Sequence, residues 1–357
     1  MTQTIHARGT VAAVSAAVRS LRRHFHRQRP IRVGSLLITI FGDSIAPRGG
    51  AITLGSLIAL ARPFGLTERL VRTSVARLAR EGWLVSRRDG RRSEYRLTPT
   101  GEDRFAEATR RIYGEIPNSW DGAWTLLILP PSNGGRRQDL RDELRWLGFG
   151  QVSPGVFAHP NWSIEQARAG LRGLDGAANG LLLKSSSEGN KVDRQLVTAG
   201  WDLGELTRRY SRFVATFTPV LEAVMPSNAA SMSVSAAAAG AGASADSQVS
   251  GPRGASTGAE FDGRGTGTGT ELGGEAAFMI RTLLIHEYRK IHLRDPLLPP
   301  ALLPADWVGA VAYDLSKRVY SVVFPAAESY LSTTASTMTA PLPPANQAAY
   351  ARFGGLG

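Results

Sequence analysis

The chain has 357 residues, enough for two or three domains, and 43% of them are apolar, so a buried core is possible. It contains no cysteine, which excludes thiol nucleophiles, disulfide frameworks and Cys-ligated metals. The net charge of +12 is uneven: residues 1–112 hold 21 arginines, no lysine and eight acidic residues, and the remainder is nearly neutral. A first third so rich in arginine points to a polyanion, either nucleic acid or an acidic membrane surface. No apolar run reaches the roughly 18–20 residues of a membrane span, and the expectation is a soluble, cytoplasmic protein with no membrane partner.

Residues 1–29 read as a basic flexible tail, since the end of this stretch, Arg19 to Arg29, shows no clear apolar period. The next unit, 30–113, opens with an apolar helix over 31–41, interrupted at Gly42-Asp43 and by the loop Pro47-Arg48-Gly49-Gly50. A short helix over Leu54–Ala61 and the turn Pro63-Phe64-Gly65 follow. Thr67 then supplies a hydroxyl that can accept from an unpaired N–H of a first helical turn, and the helix it caps runs to about Glu81, with Gly82 as its stop. Two strand-like runs, Trp83–Arg88 and Arg91–Leu97, flank Asp89-Gly90, a favoured hairpin pair. Another helix begins at Thr98-Pro99 and ends near Tyr113. Helix, helix–turn–helix and basic hairpin, in that order, form a winged helix-turn-helix.

A second unit spans 120–225. Strand runs Trp124–Leu129, Gly155–His159 and Gly180–Lys184 alternate with helical segments Arg136–Leu147 and Ser163–Leu174, and a long helical stretch, Arg194–Val224, is broken near Gly200-Trp201 or Gly204. This β-α-β-α-β order predicts a ferredoxin-like α/β middle domain. Residues 226–275 are dominated by Ala, Gly, Ser, Thr and Pro, which cannot bury enough surface to offset ordering entropy, so a disordered low-complexity insert is expected. Helical patterning resumes over Phe278–Leu293 and Trp307–Leu331, giving a C-terminal helical domain over 276–335, and 336–357 reads as a tail. The fold class expected is thus α+β multidomain.

In the Thr67–Glu81 segment, Leu70, Val71, Ser74, Val75 and Leu78 fall on one face and read as core. Arg69, Arg72, Thr73, Arg77 and Arg80 fall on the other. Such a face suits the major groove, where arginine bonds guanine O6 and N7 in bidentate fashion. Four arginines surround the hairpin tip, Arg87, Arg88, Arg91 and Arg92; they repel one another unless phosphates or a minor groove supply negative charge. Nothing comparable supports catalysis. Among six histidines there is no H-E-x-x-H, and the chain has no G-x-S-x-G, no Walker loop and no G-x-G-x-x-G after a strand. CRISPR-associated endoribonucleases of ferredoxin-like shape carry a metal-binding Asp just after the first strand, but here Leu129-Pro130-Pro131 has no carboxylate. A non-enzyme without cofactor or metal is the expectation. The competing class is a basic accessory protein that binds DNA or RNA nonspecifically.

Gly34-Ser-Leu-Leu-Ile-Thr-Ile-Phe-Gly-Asp-Ser44, Pro47-Arg-Gly-Gly50, Glu68-Arg-Leu-Val-Arg-Thr-Ser-Val75 and Glu81-Gly-Trp-Leu84, with Leu283-Leu-Ile-His-Glu-Tyr-Arg-Lys290, Arg294-Asp-Pro-Leu-Leu-Pro299 and Leu302-Leu-Pro-Ala-Asp-Trp307, resemble the PaaX family of phenylacetate-degradation repressors. The resemblance covers about 31–225 and 278–331. It implies a homodimeric repressor of an aromatic (phenylacetate-type) catabolic operon, bound to a double-stranded DNA operator and released by an arylacyl-CoA effector such as phenylacetyl-CoA. An acyl-CoA binder needs bases for its phosphates and apolar surface for its acyl end. The block Arg281, His286, Arg289, Lys290 and Arg294, beside Leu283, Leu284, Tyr288 and Leu293, offers that mixture and is the expected effector site.

Overall fold

The computed structural model describes residues 2–28, 33–114, 119–130, 137–174, 176–177, 179–225 and 272–356. The insert expected over 226–275 lies outside the described residues as far as position 271. The architecture is α+β, with two antiparallel sheets in separate parts of the chain.

The first helix, α1 (Thr2–Arg27), corrects the expectation of a flexible tail. Val14, Leu21 and Phe25 are buried, with Ala17 and Val18 packed beside them. These positions recur at helical spacing, but the arginines and histidines between them mask the period in the sequence. After it, α2 (Val33–Ile40) buries nearly every side chain. Gly42-Asp43 does not end the helix. The chain passes through one wide π turn (Phe41–Ile45) and a tight turn (Ala46–Arg48) instead. Gly42 is required there because a Cβ would run into the Phe105 ring.

Strand β1 (Ala51–Thr53) leads to α3 (Leu54–Ala61), whose first turn is capped by the Thr53 hydroxyl accepting from Ser56 N–H. Thr67 caps α4 (Glu68–Arg80) as its sequence predicts, accepting from Leu70 N–H. β2 (Leu84–Asp89) and β3 (Arg92–Leu97) form the hairpin, and the sheet order is β1-β3-β2. The loop is Gly90-Arg91, one residue later than the sequence suggests, because Asp89 still pairs with Arg92 in the ladder. Of the loop pair only Gly90 takes a positive φ, 54°, which is the demand of a loop with glycine first. α5 (Pro99–Tyr113) starts at the Thr98 cap.

The middle sheet contains β4 (Ala123–Ile128), β5 (Gly150–Ser153), β6 (Val156–His159) and β7 (Leu181–Ser186) in the order β5-β6-β4-β7, every neighbour antiparallel. β5, only four residues and mostly polar, carries no signal in the sequence. α6 (Arg137–Trp146) and α7 (Ile164–Gly170) pack Leu140, Leu144 and Ala167 on one face of the sheet against Leu127, Phe149 and Phe157. The opposite face is not left bare. Trp124 and Ala158 are covered there by Val197 of α8 (Asn190–Gly200) and by Leu298 and Leu302.

The break at Gly200-Trp201 separates α8 from α9 (Leu203–Val224), which Asp202 caps. α10 (Gly274–His292) and α11 (Val308–Thr334) follow. One continuous apolar cluster runs from Phe25 of α1 through Leu36 and Ile40 of α2 and Val75 of α4 to Phe217, Leu284, Val323 and Phe353. The segment expected as a C-terminal tail therefore belongs to the core. Asn346 caps α12 (Gln347–Tyr350), Phe353 is buried, and Thr53 N–H donates to the Ser336 carbonyl at 3.0 Å.

Candidate nucleic-acid interface

α4 buries Val71, Val75 and Leu78 and turns Arg69, Arg72, Thr73 and Arg80 to solvent. Arg72 meets Glu68 at 2.7 Å and Arg77 meets Glu81 at 3.4 Å, both exposed pairs of a kind worth little in water. Thr73 donates its hydroxyl to the Arg69 carbonyl at 2.9 Å. Arg77 stands at the flank of this face: its guanidinium lies over Gly34 of α2, close enough that a Cβ there would displace it. Leu70, read from the sequence as core, is 46% exposed. A leucine at the edge of an apolar stripe looks the same in sequence whether it turns inward or outward.

The hairpin projects beside this helix. Arg87, Arg88, Arg91 and Arg92 are all exposed, and among the described residues none of them forms an ion pair. The ladder places Arg87 opposite Glu94, Arg88 opposite Ser93 and Asp89 opposite Arg92. Pleating therefore sends Arg87 and Arg92 to one face of the hairpin and Arg88 to the other. A polar cavity of about 380 Å³ beside the turn of the hairpin draws together Arg72, Arg91 and Arg92 with Thr53, Gly55 and Ser56 at the start of α3. Arg69, Arg80, Arg87 and Arg88 lie outside it. Ser336 forms part of its wall, and Met338 N–H donates to the buried Glu94 carboxylate at 2.7 Å, so the C-terminal segment braces β3 of the hairpin. Nothing in the sequence signals that brace.

The five residues expected to bind an effector do not form one accessible face, which corrects that grouping. Arg281 is fully buried, 2.9 Å from Asp43, 2.7 Å from Glu328 and 2.7 Å from the Ser44 hydroxyl. His286 is buried with Nδ1 3.0 Å from Thr39 Oγ1; burial first, then Arg289 and Lys290, hold its pKa well below the usual histidine range, so it is neutral. Arg289 donates to Thr39 Oγ1 and to the carbonyl and hydroxyl of Ser35, and burial lowers its pKa to about 10. These three side chains tie α10 to the first unit. Lys290 is half-buried with Glu287 and Gln28, and only Arg294 is well exposed.

Asp43, read in the sequence only as a helix breaker, is the hub of this junction. Its carboxylate accepts from Tyr113 at 2.7 Å, Tyr320 at 2.8 Å and Arg352 at 3.0 Å, and forms an ion pair with Arg281 at 2.9 Å. Arg48 pairs with Glu328 alongside. Burial pushes the Asp43 pKa up, but Arg281, Arg352 and the two tyrosines outweigh it and leave the value below the ordinary one.

The exposed surface defines a class of protein: one that offers a polyanion a cationic helix and a cationic hairpin on one side of a packed core. No group of three metal-ligating side chains occurs among the described residues, and no helix among them is long and apolar enough to cross a membrane. Similarity to known proteins narrows the class. The family model described as PaaX-like protein matches residues 32–101, the PaaX protein central Cas2-like domain matches 117–197, and the PaaX-like protein C-terminal domain matches 265–333. The chain is 33% identical over 330 residues, 92% of each protein, to the transcriptional repressor PaaX of Escherichia coli (strain K12). It therefore belongs to the PaaX family. A solved structure, the uncharacterized protein Rv0674 from Mycobacterium tuberculosis, aligns with 76% of this chain and 89% of its own at 21% identity and a TM-score of 0.42.

Proposed function

We propose that this PaaX family member is a cytoplasmic, homodimeric, sequence-specific transcriptional repressor of an aromatic catabolic operon. Its first unit is read as a winged helix-turn-helix: α3 and α4 are the paired helices, and the β2–β3 hairpin is the wing. α4 enters the major groove with Arg69, Arg72, Thr73, Arg77 and Arg80, and Arg87, Arg88, Arg91 and Arg92 hold backbone or minor groove. The observation that carries this reading is the cavity at which Arg72 of the helix and Arg91 and Arg92 of the hairpin meet, since two elements sharing one phosphate seat fix a single docking geometry. The middle unit is read as ferredoxin-like, on the strength of its β-α-β-β-α-β order and its sheet order, in which its first strand lies between its third and fourth. An arylacyl-CoA such as phenylacetyl-CoA is the proposed effector, and release requires that it prefer the conformation that binds DNA poorly.

Footprinting over the region upstream of the protein's own gene tests the reading. A short protected palindrome is the expected result. Unpatterned protection of any DNA or RNA, growing with protein concentration, would instead identify a nonspecific accessory protein.

A further inference from the structure

A cleft of about 300 Å³ opens where α1, α9 and α10 meet. Its floor is apolar: Phe213 and Phe217, stacked at a tilt with ring centroids 4.7 Å apart, and Ile291. Its rim carries three cations, Arg209, Arg212 and Lys290, and one acid, Glu287. Lys290 is answered by Glu287 at 2.9 Å, and Arg208 on the outer side of α9 by Glu205 at 2.9 Å. Arg209 and Arg212 form no ion pair among the described residues; Arg209 donates to the Lys290 carbonyl at 2.6 Å and Arg212 to that of Arg208 at 3.4 Å. Burial first, then the nearby Arg294, draw the Arg209 pKa below its ordinary value, against the opposing pull of Glu205. A partly buried cation with no ion-pair partner is a cost to the fold that an anion would remove. A cavity of about 400 Å³ lined by Tyr210, Asp295, Leu298 and Trp307 contains a buried acid and no cation, so it lacks this complementarity.

We propose that this cleft binds an amphipathic anion, an aryl or acyl group against Phe213 and Phe217 with its phosphate or sulfonate charge on Arg209 and Arg212. The volume suits an aromatic group and one or two charged groups, with any longer ligand trailing into solvent. The inference deepens the effector reading above and rests on it for the link to DNA release.

The location explains how occupancy could reach the DNA side. The cleft lies on α10, and the neighbouring residues of that helix hold α2: Arg289 bonds Ser35 and Thr39, and His286 bonds Thr39. On α2, Gly34 carries Arg77 of α4 against its backbone. A ligand that shifts α10 against α1 therefore moves a helix that touches the reading helix, a helix shift of the kind packed interfaces transmit.

The test uses the full-length protein and 8-anilinonaphthalene-1-sulfonate, an aromatic sulfonate whose fluorescence reports binding. Saturable binding is expected. The Arg209→Glu/Arg212→Glu double variant should lose at least about tenfold in affinity, and Thr216→Phe, which fills the cleft without changing charge, should lose a comparable amount. Arg168→Glu, an exposed reversal on α7, should bind as the parent does, and circular dichroism and melting temperature identify any variant that fails to fold. The cleft is overturned if binding is absent in the parent or equal in parent, double variant and Thr216→Phe. Competition separates it from the effector reading. Displacement of the sulfonate by phenylacetyl-CoA, together with variants that resist release of operator by phenylacetyl-CoA, joins the two. Cleft-dependent sulfonate binding with no displacement and no release from operator by phenylacetyl-CoA leaves the cleft standing and removes that effector.

Discussion

Arginine serves two opposite purposes in this molecule. At the junction of the first unit with the C-terminal helices, Arg48, Arg281 and Arg352 are no more than 5% exposed, and each reaches a carboxylate: Glu328, Asp43 with Glu328, and Asp43. On the α4 face and the hairpin the same residue type is exposed, and among the described residues its only acid partners are Glu68 and Glu81, one helical turn away. The contrast follows from solvation. A guanidinium taken out of water needs a matched anion within the fold, because an uncompensated buried charge costs several kcal/mol. One left in water can remain uncommitted, and a surface of uncommitted cations stays ready for phosphates. Sequence composition counts both kinds alike; only burial separates structural arginines from those available to DNA.

Removing the shared anion breaks the buried half most severely. Asp43→Asn strands Arg281 and Arg352 without their common partner and is expected to cost about 3–5 kcal/mol, read by urea unfolding; a loss under about 1 kcal/mol would mean that Glu328 and the tyrosines suffice. The pH dependence has a definite sign. The folded pKa of Asp43 is depressed, so its contribution is present above the unfolded aspartate value and disappears as pH falls through the lower folded value. The parent should therefore lose stability on acidification across that window, and Asp43→Asn should show a flatter profile there.

On the exposed half, Arg72→Ala is expected to leave unfolding within about 0.5 kcal/mol of the parent and to weaken binding at a cognate operator by about 1–3 kcal/mol. Arg77→Ala should cost less, since its guanidinium rests on α2 at Gly34 and pairs with Glu81. Equal losses on operator and random DNA would make Arg72 a phosphate clamp and not a base reader. A smaller and sequence-blind effect is expected for the hairpin. Arg88→Ala with Arg91→Ala should lower the slope of log affinity against log salt by about 0.9 for each phosphate no longer neutralised, on every sequence alike.

Local chemistry made much of the first unit legible. Thr67 and Thr98 announce helices that begin where they should, and Asp89-Gly90 between two strand-like runs announces the hairpin. What stayed hidden is long-range. Gly42-Asp43 looks like a break because nothing nearby reveals that Arg281 and Arg352, more than 230 positions away, converge on that carboxylate. Phe353 looks like part of a tail because the rings that hold it at a φ of 54°, Tyr113 and Tyr320, come from other elements. The same blindness misplaced the effector residues: Arg281, His286 and Arg289 read as basic surface in a helix whose neighbours were unknown. The cationic helix and hairpin remained readable because an exposed face needs no partner within the chain.

Leu70 sharpens the comparison at its weakest point, because it is an apolar side chain on the exposed half. It follows Arg69 in the first turn of α4, buried on one side by the stripe that includes Val71 and open on the other, with 46% of its surface in water. A leucine so placed adds little to the core, and Leu70→Ala should change stability by no more than about 0.5–1 kcal/mol. If α4 lies in a major groove, this side chain is available to a thymine C5-methyl group, an apolar contact that reads sequence without a hydrogen bond. The expected loss is below that of Arg72→Ala and confined to operators with thymine at one position. Replacing thymine by uracil there, which removes only the methyl group, should reproduce the loss in the parent and add nothing in Leu70→Ala. Additive effects would place Leu70 outside the groove and leave reading to the arginines alone.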